Sequence, residues 1–454
     1  HYSLNTMQLR KLIDSPCGLR FILDELCTHS SYSRKLLLES TMMHDRESIE
    51  KSYSVLKEFY HVVENDDNKN AIQTLQFKLC KLKDINNTIS RLSSSTVIDD
   101  IELYEVKSLA LLSADVKNIL EKLNLINVIE IPTLDDVVKI LDPDGLRIAT
   151  FYIYDSYSEE LAVLRKKLKE KDFYQEEIYN KVMEVEDEIR AKLSEALKPF
   201  VHDLCEALNA LADVDLNLAK ALQMKELGLC FPTISNDNVA TYKGIFHPEV
   251  KNILDKEKRE YQKVDIQFGM KPVIIMGANM GGKTIALKTL AMSQYLLQFG
   301  FGIPADSAEM MIYDEIFCLT TDDQSLNKGL SSFAAEMKNI DAVIKASHDD
   351  KKILALIDEP ARSTNPTEGT ALVSSLVKLL QDKAMSLIIV THYNIKTYNN
   401  KCLRVKGLEN GKMNYELVET HEGEVPHEAL NIAESLGVAP QWIQMAKEIL
   451  EEGR

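Results

Sequence analysis

Gly277-Ala278-Asn279-Met280-Gly281-Gly282-Lys283-Thr284 is the stretch on which the reading of this 454-residue chain turns. The apolar run Pro272-Val273-Ile274-Ile275-Met276 precedes it and predicts a buried strand. Ile285-Ala286-Leu287-Lys288-Thr289-Leu290-Ala291-Met292 follows and predicts a helix. Strand, glycine-rich turn, Lys-Thr and helix, in that order, form the context of a phosphate-binding P-loop. The glycines allow a tight backbone turn whose N–H groups face phosphate oxygens at the positive end of a helix dipole. Lys283 is placed on the β- and γ-phosphates, and the Thr284 hydroxyl is placed to ligate Mg²⁺. An ordinary glycine-rich strand-to-helix turn shares the glycines but not all eight positions with both flanks. ATP with Mg²⁺ is the expected ligand.

Further along, Ile353-Leu354-Ala355-Leu356-Ile357 predicts a second apolar strand, ending in Asp358-Glu359. A carboxylate at the carboxyl end of a neighbouring strand can hold Mg²⁺ through water, and the next can polarise an attacking water. Asp358 is thus the expected metal partner and Glu359 the general base. Alone such a pair is weak evidence; behind a P-loop it is strong. His392 ends the strand after that, within reach of a γ-phosphate, although a lone His is often structural. Ser331-Ser332-Phe333-Ala334-Ala335-Glu336-Met337 starts a helix between the two motifs. Ser331 reads either as a plain N-cap or as a helix start facing the γ-phosphate of a nucleotide on another subunit.

The remainder of the chain is mostly helical in pattern. Residues 1 to about 130 repeat apolar positions at helical spacing, with a helix start at Asp45-Arg46-Glu47 and a polar loop at Asn65–Asn70. Pro132, Pro143 and Gly145 break the pattern, and Ile148–Tyr154 reads as a strand or short extended piece. From Ser158 a charged helix runs through Leu161, Leu164 and Leu168 and carries Arg165, Lys166, Lys167 and Lys169. The chain reverses near Asp172-Phe173-Tyr174 and returns through Ile178, Val182, Val185, Ile189, Leu193 and Leu197. Such spacing predicts a coiled-coil-like antiparallel arm, kinked or restarted at Pro199. Straight, the returning arm from 175 to 223 would measure roughly 70 Å. The basic run can touch phosphates or be a solvated helix face.

The expected fold is therefore an α-helical core and lever region with long antiparallel helical arms, followed by an α/β P-loop ATPase domain. The expected domains are a helical core at 1–155, lever helices at 156–235 and the ATPase domain at 236–454, closing on two C-terminal helices. Length fits two to three domains. The net charge of −17 gives no global drive toward phosphate backbones. Seven cysteines, scattered and without a CxxC pair, argue for a reducing cytoplasm. No apolar run reaches the length of a membrane span, no secretory leader is visible, and the chain opens on His1.

The eight-residue loop, with its Asn-Met-Gly-Gly centre, resembles that of MutS-family ATPases. Ile303-Pro304-Ala305, Asp314-Glu315-Ile316-Phe317, Ser331–Met337, Asp358-Glu359 with Arg362-Ser363-Thr364, Thr391-His392-Tyr393 and Gly244 to Pro248 continue the likeness. It covers 236–454, while Leu211-Ala212-Asp213-Val214-Asp215 resembles the junction where the family's lever returns to its core. The resemblance implies an ABC-type ATPase dimer with two composite sites, each using Ser331 of the opposite subunit. It also implies an aromatic against adenine, for which Tyr261 is the candidate. The departures are specific. No Phe-x-Glu occurs in this chain, and no mismatch-reading or connector domain is expected within it ahead of the helical region. The DNA-gripping clamp expected between the arms has only Lys171 to Gln175 available, and Pro360-Ala361 replaces the usual residues after the catalytic Glu.

Two outputs of such a motor follow. One is a homodimer, or a dimer with a related ATPase subunit, whose arms embrace duplex or branched DNA without reading a mismatch. The other is a protein-remodelling ATPase whose arms grip a protein client, which the acidity and the short clamp favour. A third reading, nucleotide binding without turnover, makes the site a structural switch.

Overall fold

The computed structural model describes residues 7–170, 175–277, 282–320, 329–423 and 428–453, with backbone alone for 329–331 and 428. The chain divides into two compact units. One comprises 1–26, 40–53 and 223–454, the other 27–39 and 54–222. The break between the units in this part of the chain falls at 222/223, and residues 1–26 and 40–53 group with the α/β residues. Hydrogen bonds account for that. The Met43 N–H donates to the Gln298 carbonyl at 2.8 Å, and the Gln298 amide donates to the Met43 carbonyl at 2.9 Å. The Tyr53 hydroxyl donates to the Phe301 carbonyl at 2.6 Å, and Gln223 to the Ile22 carbonyl at 2.6 Å. Buried amides and hydroxyls need such partners, so each one fixes which segment it packs beside.

The α/β unit contains two sheets. Strands β1 (Thr233–Ile234), β2 (Ala240–Ile245), β3 (Val264–Phe268) and β5 (Ser307–Met310) form a four-stranded sheet in the order β1-β5-β2-β3. Six strands form the other: β4 (Pro272–Met276), β6 (Glu315–Leu319), β7 (Ile353–Asp358), β8 (Met385–Thr391), β9 (Lys401–Glu409) and β10 (Lys412–Thr420). Their order is β10-β9-β4-β8-β7-β6, parallel except for the β9–β10 hairpin. Every residue of β4, β7 and β8 is buried. That agrees with their unbroken apolar runs, since a parallel strand covered on both faces has no polar side to alternate. Helices Gly329–Ala346 and Pro366–Leu380 share a core with one face of the sheet, through Val343, Val373 and Val377 against Ile274, Ile353 and Leu387. Helix Gly282–Gln298 packs against β6, β7 and β8. Helices Glu428–Ser435 and Pro440–Glu452 close the chain as the sequence predicts.

The other unit is helical and has no strand among its described residues. Asp99 caps helix Asp100–Lys122 with a reciprocal bond to Glu102, a local signal that sets its start. Ile148–Tyr154, expected as a strand or an extended piece, forms neither strand nor helix. The buried Lys107 ammonium pins it instead, donating to the Thr150 carbonyl at 2.9 Å and the Tyr154 hydroxyl at 2.8 Å.

Ser158 caps helix Glu159–Lys169, accepting from the Leu161 N–H at 3.2 Å, and this helix packs on Gln175–Leu197. The outgoing limb has 11 residues, about 16 Å of helix, so the expected long pair of arms is long on the return alone. Pro199 breaks that return into a 3-10 turn, Lys198–Phe200, before Val201–Leu227 resumes. The expected reversal at 172–174 lies outside the described residues.

One buried carboxylate organises this unit. Asp215, fully buried, accepts the N–H groups of His29 at 3.0 Å and Ser30 at 2.9 Å, just ahead of helix Ser31–Glu39. The His29 ring nitrogen lies 3.3 Å from the same carboxylate. Two amides at a helix start satisfy the charge that burial would otherwise penalise. Asp215→Ala is expected to lower unfolding free energy by about 2–4 kcal/mol, because it strands these donors. Urea denaturation measures it, and a loss under about 0.5 kcal/mol, typical of an uninvolved surface position, would show that water replaces the carboxylate.

Candidate functional site

Strands β4, β8 and β7 bring the two motifs together. Met276 is paired with Thr391, and Asp358 with Val390, so all three strands end at one level. The crevice beyond the carboxyl ends of parallel strands is where ligands bind in such sheets. Gly277 follows β4 with φ +124°, a conformation that a side chain would obstruct. Ala278, Asn279, Met280 and Gly281 lie outside the described residues. The chain resumes in helix Gly282–Gln298.

Lys283 is buried, and its ammonium donates to the Gly277 carbonyl across the base of the loop. The Thr284 hydroxyl donates to Asp358 Oδ2 at 3.0 Å. A hydroxyl and a carboxylate so placed are hard oxygen donors of the kind Mg²⁺ takes, the remainder coming from phosphate and water. The two residues expected at the metal are therefore in contact.

Glu359 follows directly and is buried. Its N–H donates to the Val390 carbonyl at 2.7 Å, and its carboxylate pairs with the Arg362 guanidinium at 3.1 Å. Glu359 has φ +46° and Ala361 φ +59°. A non-glycine residue in this region costs on the order of 1 kcal/mol or more, and such strain persists only where the surroundings impose it. His392 follows β8 and is exposed, its ring 4.4 Å from that of Tyr393. Ser331 is the third residue of helix Gly329–Ala346, so it is no N-cap, and its side chain lies outside the described residues.

Tyr261 is anchored by its hydroxyl, which accepts the His247 N–H at 3.0 Å, and burial raises its pKa. The next residue, Gln262, reaches strand β10 with its side chain: Oε1 accepts the Tyr415 N–H at 2.8 Å, and Nε2 donates to Asn414 Oδ1 at 2.7 Å. A shift of strand register between Asn414 and Leu417 lies at this point. The Tyr415 ring then lies so close to Gly282 that a Cβ there would come within 2.6 Å of its Cδ1. Gly282 thus needs to be glycine for space, and Tyr415 is an aromatic that lies against it. Sequence reasoning missed it, because no motif marks it and β10 was not foreseen.

Two more residues escaped notice. Glu336, on helix Gly329–Ala346, accepts the Ala361 N–H at 2.7 Å, and burial raises its pKa. The Tyr393 hydroxyl donates to the Ala361 carbonyl at 2.7 Å. Burial raises its pKa too, with Glu336 and Glu359 adding to the rise. Both lie in motifs quoted above, yet their neighbours there drew the attention.

The basic run is divided. Arg165 pairs with Asp155 at 2.6 Å and Glu186 at 2.8 Å. Lys166, Lys167 and Lys169 are exposed on the last turn of their helix.

A glycine-rich loop at a strand end, a buried lysine on its carbonyl and a Thr–Asp pair across neighbouring strands define a P-loop nucleotide-binding domain. Residues 273–452 match the family profile of MutS domain V. The endonuclease MutS2 of Caldicellulosiruptor saccharolyticus is 34% identical over 210 residues, 46% of this chain and 26% of that protein. That of Ligilactobacillus salivarius is 32% identical over 237 residues, 52% of this chain and 28% of the relative. That of Enterococcus faecalis is 33% identical over 274 residues, 58% and 33% respectively. The chain thus spans 26% to 33% of the length of these three relatives.

Gly282→Ala is expected to weaken ATP binding about tenfold, because a methyl against Tyr415 must displace the ring or the helix start. Adding Tyr415→Ala should restore room for that methyl. Titration with a fluorescent ATP analogue reads both, and an unaffected single variant would show that the ring gives way freely.

Proposed function

We propose that this chain is a Mg²⁺-dependent ATPase of ABC type that works as a dimer on DNA. The contact of Thr284 with Asp358 at 3.0 Å, with Glu359 next in the chain, carries the proposal. On ATP binding, the Lys283 ammonium exchanges the Gly277 carbonyl for the β- and γ-phosphate oxygens. Mg²⁺ bound by Thr284 and Asp358 would neutralise phosphate charge. Glu359 accepts a proton from water as the water oxygen bonds to the γ-phosphorus, and the bond from that phosphorus to the β–γ bridging oxygen breaks. ADP and phosphate leave. His392 faces the γ-phosphate, and Tyr261 takes the side of the base. Most of the rate comes from positioning and charge neutralisation, as in other phosphoryl transfers.

Ser331 of the opposite subunit completes each site, so ATP joins two ATPase faces and hydrolysis releases them. Support for a dimer comes from the C-terminal helices, where Leu436, Trp442, Met445 and Ile449 are exposed together. Such a cluster on a soluble surface marks an interaction site. Nucleotide state is then coupled to movement of the helical arms. The matching relatives are named endonuclease MutS2, which favours DNA as the client over a protein. Lys166, Lys167 and Lys169 are the phosphate contacts in this reading. No helix among the described residues is long and apolar enough to cross a membrane, and the cytoplasm is the proposed location.

Glu359→Gln is expected to cut phosphate release by about a hundredfold or more while ATP affinity stays within about threefold. Equal release by both proteins would leave the site a binding switch. For the output, ATPase rates and binding are compared with duplex, branched and no DNA across a salt series. Affinity should fall steeply with salt, and changing Lys166, Lys167 and Lys169 together to Glu should abolish it. Absence of binding at low salt would sink the DNA reading.

A further inference from the structure

The mechanism above leaves Glu336 without a role, yet its placement is specific. Oε1 accepts the Ala361 N–H at 2.7 Å, while Oε2 is buried with no hydrogen-bond partner among the described residues. A carboxylate so held gives up solvation for a single amide, which is unfavourable unless that amide needs holding. The other polar group of the same residue is held too, the Ala361 carbonyl accepting the Tyr393 hydroxyl at 2.7 Å. Tyr393 is itself fixed. Its N–H donates to the Thr391 hydroxyl at 3.1 Å, and its ring lies where any Cβ on Gly369 would come within 2.7 Å. Ala361 is two residues beyond Glu359, in the turn where both have positive φ. Without outside support such a turn relaxes, and the Glu359 carboxylate moves with it.

Building on the hydrolysis reading above, we propose that Glu336 and Tyr393 are positioning residues that clamp the Ala361 backbone and so hold Glu359 in place to accept a proton from water. Glu336 acts from helix Gly329–Ala346 and Tyr393 from the end of β8, so the clamp joins two elements through one residue. The same helix bears Ser331, five positions earlier. The helix end that meets a second subunit's nucleotide therefore belongs to the element that steadies this subunit's own general base.

Wild type, Glu336→Ala, Glu336→Gln, Tyr393→Phe and Glu359→Gln are compared in steady-state ATPase assays, with hydrogen–deuterium exchange over 359–364. Glu336→Ala should lower kcat about tenfold with KM within about twofold, since catalysis is lost by misplacement rather than by weaker binding. Glu336→Gln should recover to within about threefold of wild type, because the amide oxygen accepts the same N–H. Tyr393→Phe should fall between. The Ala361 amide should exchange faster in Glu336→Ala and at the wild-type rate in Glu336→Gln. Wild-type kcat and exchange in Glu336→Ala would overturn the clamp, and so would a Glu336→Gln variant as slow as Glu336→Ala. If wild type releases no phosphate, the hydrolysis reading fails, and exchange at Ala361 still decides whether the clamp exists.

Discussion

Strands β4, β8 and β7 lie side by side, parallel and buried on both faces, and their shared register is the constraint on which the site depends. A slip of one residue would turn every side chain of the slipped strand to the opposite face. Helix Gly282–Gln298 covers one side, and helices Gly329–Ala346 and Pro366–Leu380 cover the other. Neither packing would survive that exchange. Register therefore fixes Met276 beside Thr391 and Asp358 beside Val390, and with them the level at which Gly277, Glu359 and His392 follow their strands. The 3.0 Å contact of Thr284 with Asp358 follows from this packing rather than from any attraction between the two.

Beyond the strand ends, the turn after Asp358 is under strain. Pro360-Ala361 occupies a place where φ of +59° would suit glycine better, and Glu359 at +46° shares the cost. Support comes from side chains. Arg362 holds the Glu359 carboxylate, while Glu336 and Tyr393 hold the two polar groups of the Ala361 backbone. Strain in the turn that bears the proposed general base, opposed by three separate side chains, is the pattern expected of a preorganised site.

The helical unit shows the same economy with buried charge. Asp215 is satisfied by two amides and a ring nitrogen, and Lys107 by a carbonyl and a hydroxyl. Each ties distant stretches of chain to one place, since a buried charge is tolerable only where its partners are. Arg165 does likewise between Asp155 and Glu186. Its charge therefore serves the hairpin, and the three lysines after it are left to solvent.

Local chemistry by itself determined the strand and helix that flank the Gly277–Thr284 stretch, Asp358-Glu359 at a strand end, the start of the helix at Asp45, the helix running from Ser158 and the break at Pro199. Each rests on a signal a few residues long: an apolar run, a side chain bonding the backbone within three positions, or a missing N–H. Only tertiary structure decided that 1–26 and 40–53 pack with the α/β unit, that Ile148–Tyr154 forms neither strand nor helix, and that the outgoing arm is short. It alone brought Tyr415 against Gly282, and Glu336 and Tyr393 onto Ala361. Helical periodicity marks a residue as buried without naming what buries it. A hydrogen bond such as Glu336 to Ala361 joins elements whose proximity arises once the sheet has its register.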